Sequence, residues 1–272
     1  MKLKKMIAFA LCALMVISML AGCGSTNAGQ ATTAAAEGSS AGQEDAAVKT
    51  VKEGTLVMAT NAYFPPYEFY EGNEIVGIDA EIAKAIADKL GLKLEIADME
   101  FDSIITAVQT GKADMGLAGM TVTEERLKNI NFSDSYATGI QSIVVQENSP
   151  IKGVDDLKGK KIGVQLATTG DIYAKDDFGE ENVEEYNKGN DAILALSQGK
   201  VDAVIIDNQP AKSYVKSTKG LKILDTEYVE EQYAACISKD NEALLAAVNQ
   251  ALSELQADGT LQSILDKYIV TD

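Results

Sequence analysis

The sequence predicts an α/β fold made of two similar lobes that are joined by two extended chain crossings. Three observations lead to this prediction. Buried strands and amphipathic helices alternate from Leu56 onward, one helix–turn–strand unit occurs twice, and strong strand patterns at 141–146 and 233–238 bracket the second lobe. Such alternation is typical of βαβ units and a largely parallel sheet.

The hydrophobic period defines the individual elements. Continuous apolar runs or strict alternation predict strands, whereas apolar residues three and four apart predict helices. Glycine directly after an apolar helical face predicts helix ends at Gly91 and Gly259. In chain order the pattern predicts strands at 56–60, 92–96, 114–118 and 161–164, and helices at 79–90, 103–110, 241–258 and 261–269.

The repeated unit consists of a helix, a Gly-Lys turn, an aspartate and a buried strand. It covers 105–119 and again 193–207. In open α/β sheets, ligands bind beyond the carboxyl ends of strands, so residues that follow equivalent strands are expected to line one cleft between the lobes. Those residues are Asn61, Gly119, Gln165 and Asp207. The alternative is a generic helix–turn–strand pattern that unrelated βαβ units share.

The N-terminal segment has the pattern of a lipoprotein signal. A basic stretch and a short apolar run lead to the tetrapeptide Leu20-Ala21-Gly22-Cys23. The run is too short for a bilayer span, and the tetrapeptide resembles a bacterial lipobox, in which the cysteine is acylated. We therefore expect a signal peptide at 1–22, and lipidated Cys23 with a flexible tether over 23–51. The alternative is an ordinary signal peptide with an incidental cysteine.

The composition argues against several functions. The formal net charge of −17 argues against binding to nucleic acid or, electrostatically, to anionic lipid. The chain has no histidine, which removes Ser-His-Asp and Cys-His catalysis and the commonest metal ligand. Once Cys12 leaves with the signal and Cys23 is acylated, Cys236 stands alone and is expected to be a buried hydrophobe. No disulfide, metal or cofactor is predicted.

Five segments carry a family resemblance. They are Ala59-Thr60-Asn61-Ala62-Tyr63-Phe64-Pro65-Pro66-Tyr67-Glu68-Phe69, Val76-Gly77-Ile78-Asp79, Asp98-Met99-Glu100-Phe101-Asp102, Gly119-Met120-Thr121-Val122-Thr123-Glu124-Glu125-Arg126 and Asn131-Phe132-Ser133-Asp134-Ser135-Tyr136. In order, they resemble the motifs of polar-amino-acid binding proteins of bacterial ABC importers, the family 3 extracellular solute-binding proteins. The resemblance implies the class II periplasmic-binding-protein fold, with two hinged α/β lobes and two crossover strands. Lobe 1 would comprise 52–141 and 235–272, and lobe 2 would comprise 142–234.

The resemblance also implies how the ends of an amino acid are bound. Arg126, the chain's one arginine, aligns with the family's carboxylate-binding arginine, and its planar fork can form two parallel hydrogen bonds. Asp207 matches the position that binds the α-ammonium, helped by the Gly119 carbonyl and the Thr121 hydroxyl. Thr168, where a helix is predicted to start, would place amide dipoles at the carboxylate. The structural alternatives are a surface arginine and plain helix caps at Asp207 and Thr168.

The side-chain end of the expected site is aromatic and amide-lined. Phe64 and Phe101 match family aromatics that flank the ligand side chain, although aromatics near such loops are often core residues. Members of the family that bind glutamine or basic side chains often have an acid at the Asn61 position, and the glutamine-binding pattern has a lysine at the Gln165 position. The two amides here favour a neutral polar amino acid, such as glutamine or cystine, although Glu68 and the aromatics could accommodate a cation.

The sequence thus predicts a monomeric, lipid-anchored binding protein on the outer face of the cytoplasmic membrane, in the Gram-positive manner. It would capture a free amino acid and deliver it to an ABC permease and its ATPase. One alternative is a ligand-binding module of a sensor or co-receptor. Another is an enzyme on the same fold, resembling a cyclohexadienyl dehydratase, although it would need a placed carboxyl or lysine as general acid, and nothing in Thr121–Arg126 or Asp207 is left over for that role.

Overall fold

The computed structural model describes residues 48–269. The predicted signal peptide and the lipidation site Cys23 therefore lie outside the described residues. None of the helices within 48–269 is long and apolar enough to cross a membrane. The strands are β1 Thr55–Thr60, β2 Tyr63–Phe64, β3 Glu68–Glu71, β4 Glu74–Val76, β5 Lys93–Asp98, β6 Met115–Gly116, β7 Asn131–Gln146, β8 Ile162–Gln165, β9 Val183–Tyr186, β10 Ala203–Asp207 and β11 Leu221–Ile237.

Helices connect and cover these strands. Short 3₁₀ turns lie at Phe101–Ser103, Val154–Leu157 and Glu180–Asn182. The α-helices are α1 Ile78–Lys89, α2 Ile104–Gln109, α3 Glu124–Leu127, α4 Thr169–Phe178, α5 Gly189–Ser197, α6 Asn208–Ser217, α7 Glu242–Ala257 and α8 Thr260–Tyr268.

Eight strands form one hydrogen-bonded sheet in the order β5-β1-β6-β11-β7-β10-β8-β9. In lobe 1, β1 lies between its parallel neighbours β5 and β6, and β6 pairs antiparallel with β11. In lobe 2, β8 lies between its parallel neighbours β9 and β10, and β10 pairs antiparallel with β7. The two halves therefore have the same strand order. The long strands β7 and β11 pair with each other and join the halves.

The repeat seen in the sequence is a repeat in structure. Gly111 and Gly199, in the two Gly-Lys turns, have φ values of 68° and 70°, a left-handed conformation that glycine adopts without strain. The aspartates that follow have the same role in each lobe. Asp114 accepts a hydrogen bond from the Val57 amide at 2.7 Å, and Asp202 accepts one from the Lys161 amide at 2.9 Å. Each aspartate ties the start of its own strand to the start of a parallel neighbour.

Each lobe has a hydrophobic core on both faces of the sheet. Along β1, Leu56 and Met58 pack on one side, and Val57 and Ala59 pack on the other. Lobe 2 repeats this arrangement with separate clusters on either side of β10. Because both faces of the sheet are covered, every residue of these strands is buried. This explains why the strands appear in the sequence as continuous apolar runs.

Three features differ from the sequence prediction. The strand expected at 114–118 is only two residues long, because the chain leaves the sheet at Leu117 to reach the cleft. The crossings expected at 141–146 and 233–238 are parts of strands of 16 and 17 residues. A small three-stranded sheet of β2, β3 and β4 was not predicted, because its strands have only two to four residues.

Candidate functional site

A cavity with an empty volume of about 460 Å³ lies at the carboxyl ends of β1, β6, β8 and β10. All nine residues that the sequence nominates for ligand binding line it: Asn61, Phe64, Phe101, Gly119, Thr121, Arg126, Gln165, Thr168 and Asp207. Their placement follows from the repeat, because the two lobes present the same ends of equivalent strands to a shared cleft. Seven further residues complete the lining, namely Glu68, Ala118, Gln141, Thr169, Ile205, Ile206 and Tyr233.

Arg126 is a buried cation, and only some of the N–H groups of its guanidinium bond to other described residues. It lies on the four-residue helix α3, whose N-cap Thr123 accepts a hydrogen bond from the Arg126 amide at 3.2 Å. The guanidinium donates from Nη1 to the Thr121 carbonyl at 2.7 Å and from Nη2 to the Ala167 carbonyl at 3.0 Å. The second bond joins lobe 1 to lobe 2. Burial lowers the pKa of Arg126, and the carboxylate of Glu231 is the largest opposing influence.

Asp207 is a buried anion in the same cavity, at the junction of β10 and α6. Its Oδ1 accepts a hydrogen bond from the Gln209 amide at 2.9 Å, so it caps α6 as the structural alternative requires. Its Oδ2 accepts from Tyr233 Oη at 2.7 Å and from the Ile140 amide at 3.0 Å. Burial raises the pKa of Asp207 to about 6, whereas these three hydrogen bonds oppose that rise. Asp207 therefore caps α6 and lines the cavity at the same time.

The aromatic residues flank the cavity from lobe 1. Phe64 packs against hydrophobic clusters of both lobes, and the Arg126 guanidinium lies 5.4 Å from the centroid of the Phe101 ring. Gly119 has a φ of 53°, and a Cβ at this position would lie 2.8 Å from the Phe64 ring. Glycine is thus required twice, for its backbone conformation and for the close approach of the ring.

The two amides expected to define specificity contact each other across the cleft. Gln165 Nε2 donates to Asn61 Oδ1 at 3.1 Å and also to the Asn187 carbonyl at 3.1 Å. Asn61 Nδ2 donates to the Met99 carbonyl at 2.7 Å. Nearby, Thr168 is the N-cap of α4 and accepts a hydrogen bond from the Asp171 amide. Much of the hydrogen-bonding capacity of the amide pair is therefore engaged within the protein.

Glu68 is a buried acid in the cavity lining, beside a second buried acid, Asp79. Its side chain is 0% exposed, and neither carboxyl oxygen accepts a hydrogen bond from an N–H or hydroxyl group of the described residues, whereas the Asp79 carboxyl is close enough to share a proton with it. Burial, and next the charge of Asp79, raise the pKa of Glu68 well above its usual range. Asp79 is itself buried and accepts hydrogen bonds from the Gly119 amide and Tyr136 Oη, each at 2.8 Å. Two buried carboxyls, of which Glu68 lines the cavity, thus lie side by side.

Several lining residues had no role in the sequence prediction. Gln141 and Tyr233 lie on the crossing strands, where the pattern indicates a strand but not which residues face the cleft. The sequence pattern indicates only core positions for Ile205 and Ile206, and only the first residue of a helix for Thr169. For Glu68 a signal existed, because it stands in the motif that contains Phe64, directly between the aromatic residues Tyr67 and Phe69.

The comparisons with known proteins agree with this geometry. The model of the bacterial extracellular solute-binding proteins, family 3, matches residues 56–271, and the chain belongs to that family. The arginine-binding extracellular protein ArtP of Bacillus subtilis is 38% identical over 219 residues, which cover 78% of this chain and 85% of ArtP.

Two solved structures are similar over nearly their full length. The substrate-binding protein of an amino acid ABC transporter is 43% identical, with a TM-score of 0.76, and the match covers 79% of this chain and 99% of that one. An ancestral arginine-binding protein bound to glutamine is 44% identical, with a TM-score of 0.76, and the match covers 80% and 99%. The predicted class II periplasmic-binding-protein fold with two hinged lobes is confirmed.

Proposed function

We propose that this protein captures a free α-amino acid between its two lobes, outside the cytoplasmic membrane, and delivers it to an ABC importer. One observation carries the proposal: a buried cation, Arg126, and a buried anion, Asp207, line the same cavity. Opposite charges held in place inside one cavity are complementary to a zwitterion. Arg126 would bind the α-carboxylate, and Asp207 would bind the α-ammonium with the Gly119 carbonyl and Thr121 hydroxyl.

The side chain of the ligand would point toward Glu68, and we propose that it is basic, as in arginine. The preference for a neutral side chain rests on Asn61 and Gln165, but three hydrogen bonds within the protein already engage these two amides. Glu68 is a buried acid in the cavity lining, and the charged neighbour that affects it most is a second carboxyl, Asp79, rather than a cation. A guanidinium would supply two N–H donors and a positive charge, and the relative ArtP is named for arginine. The neutral polar ligand, glutamine or cystine, stays the second candidate.

A thermal-shift screen of free amino acids, followed by calorimetry, tests both the capture of an amino acid and the preference for a basic side chain. A ligand that binds only the folded protein raises its melting temperature by mass action. Arginine is expected to bind more tightly than glutamine, and Glu68→Gln should weaken arginine by roughly ten- to a hundredfold, the value of a hydrogen bond to a charged group. Glutamine should be nearly unaffected. Glu71→Gln, which removes an exposed acid from the same strand, is the matched control.

The outcomes separate cleanly. If no amino acid binds, the capture function is wrong. If amino acids bind but Glu68→Gln weakens arginine and glutamine equally, only the assignment of the side-chain subsite is wrong. Recovery of the bound amino acid unchanged by NMR is the expected result for a binding protein, and a new product would favour the dehydratase-like enzyme.

The lipid anchor and the lobe boundaries belong to the same proposal. The chain would be held at the membrane by acylated Cys23, and the lobes would meet at 141/142 and 234/235, on the paired strands β7 and β11. Cys23→Ala is expected to release the protein into the medium. Continued retention on membranes would refute the anchor without affecting the binding function.

A further inference from the structure

Glu231 is a buried acid that belongs to neither lobe's core and does not line the cavity. It lies on the crossing strand β11 and is 4% exposed. Its Oε2 accepts hydrogen bonds from Thr121 Oγ1 at 3.1 Å and from Gln141 Nε2 at 3.0 Å. The Tyr173 hydroxyl also lies close to this carboxylate. Burying a carboxylate is costly, which suggests a role beyond packing.

The hydrogen bond to Glu231 determines what Thr121 can offer to a ligand. A threonine hydroxyl has one hydrogen and two lone pairs, and an ionised carboxylate can only accept. The Thr121 hydrogen therefore points at Glu231. One lone pair faces the Thr169 hydroxyl, 3.4 Å away, which can donate to it, and the other lone pair remains for a ligand. Thr121 lines the cavity, so the hydroxyl is presented there as an acceptor. An ammonium has donors only, and is the chemical group that such a hydroxyl matches.

We propose that Glu231 is a positioning residue for the ligand's α-ammonium, acting through the Thr121 hydroxyl. This inference rests on the proposed capture of an α-amino acid. The negative charge of Glu231 also opposes the effect of burial on Arg126, the buried cation assigned to the ligand's carboxylate. One acid on the crossing strand thereby acts on both residues that hold the ends of the ligand.

A double-mutant cycle separates this role from a structural one. In Glu231→Gln, the side-chain amide can donate to Thr121, so the hydroxyl is free to turn its hydrogen toward the cavity. The affinity for L-arginine, or for whichever amino acid binds, is expected to fall roughly tenfold or more. In a Thr121→Val background there is no hydroxyl to orient, and Glu231→Gln should change the affinity by about twofold or less. Glu231→Asp, which keeps the charge, should lie closer to the wild type.

The controls keep every outcome informative. Glu230→Gln makes the same charge change on the exposed face of the same strand and should leave the affinity unchanged. An equal loss from Glu231→Gln in both backgrounds would show a structural role, and an unchanged affinity in the wild-type background would also overturn the proposal. If Glu231→Gln does not fold by circular dichroism, the cycle is run with Glu231→Ala, which also removes the acceptor for the Thr121 hydroxyl and should weaken binding only where Thr121 is present. A wild-type protein that binds no amino acid would instead refute the capture function.

Discussion

Replacing Arg126 is the most direct perturbation of the proposed site. Two of its five N–H donors bond to the Thr121 and Ala167 carbonyls, which leaves three for a ligand. A bidentate carboxylate would use two of these, and hydrogen bonds to charged groups contribute about 1.5–3 kcal/mol each. Arg126→Ala should therefore cost about 3–6 kcal/mol of binding free energy, or roughly 10²- to 10⁴-fold in Kd. Arg126→Lys keeps the charge but loses the fork, and should lose less.

Calorimetry with L-arginine measures the affinity, and chemical denaturation of the ligand-free protein measures the fold. Lys128→Ala removes an exposed cation two residues further along and should leave Kd within about twofold, because exposed ion pairs contribute little. A folded Arg126→Ala protein with nearly wild-type affinity would refute the carboxylate assignment. Equal effects of Arg126→Lys and Arg126→Ala would show that fork geometry matters more than charge.

Two further predictions concern Asp207 and Gly119. Because burial raises the pKa of Asp207 to about 6, its ammonium-binding form is lost as the pH falls, so affinity should drop roughly tenfold from pH 7 to pH 5. Stability should move the opposite way, since a folded-state pKa above the unfolded value favours folding at low pH, and this benefit disappears as the pH rises through about 6. Asp207→Asn should remove about 1 kcal/mol of that pH dependence in denaturant titrations between pH 5 and 7, and an unchanged dependence would contradict the raised pKa. Gly119→Ala should weaken binding at least about tenfold, because the new Cβ would lie 2.8 Å from the Phe64 ring and would displace it. A crystal structure of the variant with Phe64 in its original place would contradict this reason.

The repeat made most of the site's location predictable. Asn61, Gly119, Gln165 and Asp207 follow equivalent strands, and a constant offset between two segments was enough to bring them to one cleft. Local patterns also predicted α1, α7 and the glycine that precedes α8, because helix periodicity and helix ends are encoded within a few residues. These features depend on residues that are close together in the sequence and need no information about distant contacts.

What the sequence could not predict depends on pairing between distant residues. The first half of β7 is mostly polar and has no continuous apolar run, and it becomes a strand because β11 pairs with it along most of its length. The contact between Asn61 and Gln165 was invisible for the same reason, although both residues were nominated. That contact is one reason for proposing a basic ligand, since each amide already forms a hydrogen bond with the other.

The contacts between the lobes divide into two kinds, and the division bears on how capture and closure are coupled. Arg126 uses one hydrogen bond to join the lobes and would use others for the ligand, so any change there alters both processes. Tyr63 contacts lobe 2 outside the cavity lining: Lys188 Nζ lies 3.5 Å from its ring centroid, and Tyr214 Oη donates to its carbonyl. These contacts join the two lobes without involving the cavity lining. Since apparent affinity scales with the population of the binding-competent form, Tyr63 would set overall affinity whereas Glu68 would set selectivity.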